Sequence, residues 1–120
     1  MGIAATAAVV LVAVLHIYFL VLEMFLWKKP LGRRVFGLSR ELADATASLA
    51  ANQGLYNGFL AAGLLWGVFL GDAGFSIRVF FLVCVIVAGV FGAATANRRI
   101  LWVQALPGAI ALVLTWLARS

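Results

Sequence analysis

Residues 3–27, IAATAAVVLVAVLHIYFLVLEMFLW, decide the fold. The stretch carries no Lys or Arg, one His (His16) and one carboxyl (Glu23). A bilayer core about 30 Å thick is crossed by about 20 apolar residues of helix, which this segment exceeds. It shows no alternation of polar and apolar residues, so a barrel strand is excluded and a transmembrane helix is the expectation. Three more stretches read the same way, at about 46–70, 77–96 and 100–117. The breaks between them hold Lys28, Lys29, Pro30 and Gly32, then Gly71, Asp72 and Gly74, then Asn97, Arg98 and Arg99.

The whole chain agrees with its first segment. Of 120 residues, 66% are hydrophobic and 11% charged. Soluble domains run at roughly 45–50% apolar and about 25% charged. A chain this small cannot turn such a surplus inward, because surface grows too slowly with mass to hide it. Disorder is excluded by the same composition, and a disulfide scaffold by the single cysteine, Cys84. Short connections make consecutive helices antiparallel neighbours. The expected fold class is therefore all-α: an integral membrane four-helix bundle of one domain over residues 1–120, with both termini on the non-cytoplasmic side.

That orientation comes from the cations. Lys28, Lys29, Arg33, Arg34 and Arg40 lie between spans one and two, and Arg98 and Arg99 between spans three and four. Only Arg78 and Arg119 flank the opposite side. Cytoplasmic loops collect Lys and Arg, so both basic loops are expected inside. Trp27 and Trp102 then fall at the inner interface, Trp66 and Trp116 at the outer one, where amphipathic rings settle. The formal net charge of +5 thus acts mainly on topology, with the anionic headgroups of a bacterial inner or plasma membrane as partner. Nucleic acid is not an expected partner, because no soluble element presents a basic face. Ser39 suits a helix N-cap, with Glu41 and Asp44 favourably placed on the first turns that follow.

Ionisable groups at membrane depth cost at least ~2.5–3.5 kcal/mol on insertion scales, so each asks for a reason. His16 and Glu23 are seven residues apart, which puts them on one helix face about 10 Å apart along the axis. The second span carries Asn52, Gln53, Tyr56 and Asn57 within a sector of about 140°. Gln104 in the fourth span and Thr95 in the third fall near the same boundary. Polar side chains in lipid turn inward to find one another. A pocket between helices, open to the cytoplasm, is the expectation. Glu23 and His16 are its candidate acid–base residues, and Asn52, Gln53, Tyr56, Asn57 and Gln104 its candidate ligand-binding residues. Amides of this kind also serve as interhelical glue, worth about 0.6 kcal/mol apiece. One His without Cys partners cannot complete a metal site, and no cofactor is expected. Rows of small residues, Gly54, Gly58 and Ala62, then Gly63, Gly67 and Gly71, then Ala88, Gly92 and Ala96, fit close helix contact, within the chain or in a homo-oligomer.

The run His16-x6-Glu23-Met24-Phe25-Leu26-Trp27, then Arg33-x2-Phe36-Gly37, then Asn52-Gln53-Gly54-Leu55-Tyr56-Asn57-Gly58-Phe59 resembles a small bacterial membrane family, domain of unknown function 1304. Gly92-Ala93-Ala94-Thr95 and Val103-Gln104-x2-Pro107 are similar to its later segments. The resemblance covers essentially the whole chain. It implies a compact four-helix membrane protein with Glu and Asn/Gln signatures, and it brings no activity with it.

Three functional readings stay open at this level. The polar residues can bind a small amphipathic or lipid-like ligand, with acid–base chemistry at Glu23. They can couple protons to small-molecule transport in a parallel oligomer. Or they can give specificity to helix packing in an accessory membrane subunit.

Overall fold

A computed structural model describes residues 2–119. All regular structure among these residues is helical. The helices are α1 (Ile3–Met24), α2 (Pro30–Phe36), α3 (Arg40–Phe69), α4 (Phe75–Thr95) and α5 (Leu106–Leu117). A 3₁₀ turn, Gly71–Gly74, leads into α4, and a π-helical segment, Leu101–Ala105, leads into α5. Four of these helices coincide with the four apolar stretches. The fifth, α2, lies in what the sequence presents as a loop.

The caps of α2 explain it. Lys29 is extended at φ −78° and ψ 159°, and Pro30 opens the helix, where its missing N–H costs nothing. Gly37 ends it at φ 66°, in the left-handed region that glycine enters freely. The Leu38 N–H donates to the Arg33 carbonyl at 2.8 Å, closing a Schellman-type end. Gly32 is buried, and a Cβ there would collide with the Leu26 carbonyl oxygen. The short helix thus folds back onto the end of α1. Ser39 caps α3 as its sequence position suggests, its Oγ accepting from the Leu42 N–H at 3.1 Å.

The chain divides into two compact units, one formed by the segment up to Val14 together with that from Leu60 onward, the other by Leu15–Phe59. In the first unit, Val9, Val12, Ala13, Ala61, Leu64, Leu82, Val85 and Ala111 form the buried core. α1 supplies a narrow stripe at i, i+3, i+4 spacing, α3 and α4 a pair each at i, i+3, and α5 Ala111. Gly89 brings α4 against backbone: a Cβ there would stand 2.5 Å from the Ala105 nitrogen. Gly92 meets the Ile100 side chain instead, at 3.1 Å. Within the chain the contact row on α4 is therefore Val85, Gly89 and Gly92, while Ala88 and Ala96 are exposed.

The π segment has a cause in Pro107. Proline cannot donate to the carbonyl four residues back and its ring crowds that oxygen. The chain widens just before it, and the Leu106 N–H reaches the Leu101 carbonyl, five residues away. The outward faces of these helices stay apolar: Leu11 is 65% exposed, Phe80 61%, Phe91 69% and Leu117 73%.

In the second unit, Trp27, in the turn after α1, ties α2 to α3. Its ring packs against Phe36 of α2 with centroids 4.8 Å apart, and its Nε1–H donates to Thr46 Oγ1 of α3 at 3.0 Å. The Thr46 hydroxyl in turn donates to the Leu42 carbonyl at 2.7 Å.

Candidate functional site

The polar cluster of the second unit is built on a glycine contact. Gly54 is buried, and a Cβ there would stand 3.2 Å from both the Leu20 carbonyl oxygen and Glu23 Cβ. At Gly58 a Cβ would meet Leu20 Cδ1 at 2.7 Å. The two glycines are four residues apart, on one face of α3, and let it approach α1 closely. Asn57 lies next to that face, and its Nδ2 donates to Glu23 Oε1 at 2.5 Å. A carboxyl set in an apolar helix thus finds an amide donor 34 residues along the chain.

The other polar residues of α3 do not share this contact. Asn52, Gln53 and Tyr56 are exposed, Tyr56 by 51%. At about 100° per residue, Asn52 and Tyr56 project from the side of the helix away from Gly54 and Gly58. Gln53, one turn before Asn57, is the one of the three that lies beside the α1 contact. His16 is fully buried, its ring edge-on to Phe19 at 5.5 Å. One continuous helix holds it about 10 Å along the axis from Glu23, too far for a direct proton exchange. Gln104, half-buried, sits in the π segment of the first unit. Thr95 satisfies its hydroxyl on its own helix, donating to the Phe91 carbonyl at 2.7 Å. Within the second unit the geometry joins Glu23 and Asn57 directly.

One functional-looking residue escapes a reading by charge alone. Arg78, expected as a flanking cation, is buried to 3% exposure in the first unit. Its Nη1 donates to the Gly67 carbonyl at 2.7 Å and to the Gly71 carbonyl at 2.6 Å. These belong to the last turn of α3 and the turn after it, where carbonyls lack helical partners. Gly67 makes room: a Cβ there would stand 2.5 Å from Arg78 Cγ. The signal available in the sequence was the glycine pair Gly67/Gly71 facing a cation one turn into the next helix.

These features define a small all-helical protein with two helices, Ile3–Met24 and Gly71–Thr95, long and apolar enough to cross a membrane. The chain belongs to the family described as protein of unknown function (DUF1304), whose model matches residues 10–116. It is 30% identical over 105 residues to the uncharacterized protein YpaA of Lactococcus lactis subsp. lactis (strain IL1403), a match covering 86% of this chain and 88% of the relative. No solved structure matches.

Proposed function

We propose that the protein is a multi-pass membrane protein of the bacterial cell membrane that binds a small amphipathic, lipid-like ligand along α1 and α3. Glu23 is its proton-exchanging group and Asn57 its orienting partner. Four crossings, by α1, α3, α4 and the π segment with α5, follow from the four apolar stretches and their short connections, with both termini on the non-cytoplasmic side.

The membrane reading is supported by where the apolar residues stand. Only 33% of the most apolar window of α1, and 22% of that in the Gly71–Thr95 span, is buried. The core helix of a water-soluble protein is mostly buried, whereas these present Val, Leu, Ile and Phe outward.

The ligand reading rests on the Glu23–Asn57 pair together with exposed Gln53 one turn before Asn57, and with Asn52 and Tyr56 continuing the polar strip around α3. Amides and a phenol facing lipid without partners are costly, and a polar ligand group or a second copy of the chain relieves that cost. The test is extraction of the wild type and the Glu23→Gln and Gln53→Leu variants in mild detergent, with mass spectrometry of retained amphiphiles. A molecule held by the wild type and lost from folded variants supports the reading; identical lipid profiles overturn it.

The Gly54/Gly58 contact favours a second reading, in which the pair fixes the docking of α1 on α3 in an accessory subunit. That reading predicts that Asn57→Leu loses stability while retained lipids stay the same.

A further inference from the structure

The first unit contains a cavity of about 300 Å³ where the starts of α1 and α4 meet the end of α5. Ala5, Asp72, Phe75, Arg78, Thr115 and Arg119 line it. The cavity belongs to different residues from those of the α1/α3 cluster and stands independently of the reading given for that cluster.

Two of its lining side chains are almost wholly buried and incompletely partnered. Arg78 is 3% exposed; Nη1 is engaged by two carbonyls, but its Nε–H has no partner among the described residues. Thr115 is 2% exposed, and its hydroxyl has none among those residues either. A helical threonine ordinarily donates to the carbonyl four residues back. Thr6 does so to Gly2 and Thr95 to Phe91. Thr115 does not, although it lies within α5. Buried donors are nearly always satisfied, and these two orphans, on residues that line one cavity, would both be completed by an acceptor bound there.

The rim has the matching charge. The Arg119 guanidinium lies over the Trp116 ring, 4.4 Å from its centroid, and Trp116 packs on Phe75 at 5.7 Å. Among the described residues, two guanidiniums thus line the cavity against one carboxylate, that of Asp72. A second cavity, about 310 Å³ and wholly apolar, is lined by Val79, Leu112, Val113, Trp116 and Leu117. The Phe75–Trp116 ring contact joins the polar lining to the apolar one.

We propose that this pair of cavities binds a phosphate-bearing amphiphile. The phosphate occupies the polar cavity, taking hydrogen bonds from Arg78 Nε and Thr115 Oγ1, with Arg119 at the rim. The hydrocarbon lies in the apolar cavity beyond Trp116. Donors from three side chains suit a tetrahedral oxyanion, and guanidinium is the side chain best matched to phosphate. The polar volume is at the lower end of the range for ligand pockets, which fits a headgroup and no larger solute.

The same phosphate chemistry could come from lipid or from solution, and the experiment separates the two. Thermal unfolding of the full chain in neutral detergent is followed while inorganic phosphate, octyl phosphate or, as control, octyl glucoside is added. Octyl phosphate is expected to raise the melting temperature saturably and to bind at least about tenfold more tightly than inorganic phosphate. Thr115→Val, which removes only the orphan hydroxyl, is expected to weaken octyl phosphate about tenfold. Its unliganded melting temperature should equal or exceed that of the wild type. Arg78→Lys keeps a cation for the Gly67 and Gly71 carbonyls and is expected to weaken binding similarly. No saturable shift with octyl phosphate, or equal affinity in wild type and both variants, overturns the site. Equal affinity for phosphate and octyl phosphate overturns the amphiphile.

Discussion

The Asn57–Glu23 hydrogen bond can be weighed by a double-mutant cycle, and its magnitude reports more than its existence. Asn57→Leu removes the donor and Glu23→Met the acceptor, each at similar volume, so neither introduces a new polar contact. Interhelical hydrogen bonds between neutral groups in membrane proteins average about 0.6 kcal/mol and reach about 1.7. Hydrogen bonds to a charged group are worth about 1.5–3 kcal/mol. The carboxyl acceptor, half-buried and met by an amide N–H, places the expected coupling at about 1–2 kcal/mol, where the two ranges meet. Unfolding equilibria of the four proteins in mixed micelles give the coupling directly. Adding Glu23→Gln to the series identifies the protonation state. If the neutral isostere keeps the full coupling, the bond in the native protein is that of a neutral carboxyl; if coupling falls by about 1 kcal/mol or more, the carboxylate carries it. A coupling below about 0.3 kcal/mol, the ordinary error of additivity, would refute the claim that these residues are joined.

Three further outcomes are open to measurement. Gly89→Ala should destabilise by about 1–3 kcal/mol, because its new methyl meets backbone at Ala105. Gly92→Ala, opposed only by the Ile100 side chain, should cost clearly less in the same unfolding assay; the reverse order would contradict the packing of α4 on the π segment. Ser39→Ala should cost about 1 kcal/mol and speed amide exchange in the first turn of α3, and unchanged exchange there would deny Ser39 its capping role. In a Cys84→Ala background, cysteines placed at Arg34 and Arg98 should be protected from an impermeant thiol reagent in intact cells, and one at Arg119 labelled. Labelling at Arg34 would invert the orientation.

The helices themselves were legible because apolar length is a one-dimensional property. Ile3–Met24 and Phe75–Thr95 are recognisable from composition alone, as is the Ser39 cap from its place before Glu41 and Asp44. The short helix α2 was not, although both its bounds were visible. Pro30 and Gly37 read as breakers in isolation, and only as a pair seven residues apart do they bracket a helix between an N1 proline and a left-handed glycine. Arg78 was misjudged for a different reason. Counting cations by side of the membrane treats each as a flank, and nothing in that count reveals that a glycine 11 residues earlier leaves room for a guanidinium under the end of α3.

The α3 polar patch shows where helical periodicity stops being informative. A spread of about 140° covers Asn52, Tyr56, Gln53 and Asn57, but the contact stripe between two closely packed helices is narrower, and residue polarity does not choose which part of the patch enters it. The smallest side chains do. Gly54 and Gly58 allow the backbone of α3 to approach Leu20, and that approach carries Asn57 to Glu23 while leaving Asn52 and Tyr56 outside. Packing sets the angle first, and hydrogen bonding then selects from the polar groups the angle leaves within reach. On this argument the glycines of the Asn-Gln-Gly-Leu-Tyr-Asn-Gly run are as much a part of the Glu23 site as the amides. Moving the contact face of α3, for instance by exchanging Gly54 with Leu55, should break the Asn57–Glu23 bond even with both partners intact.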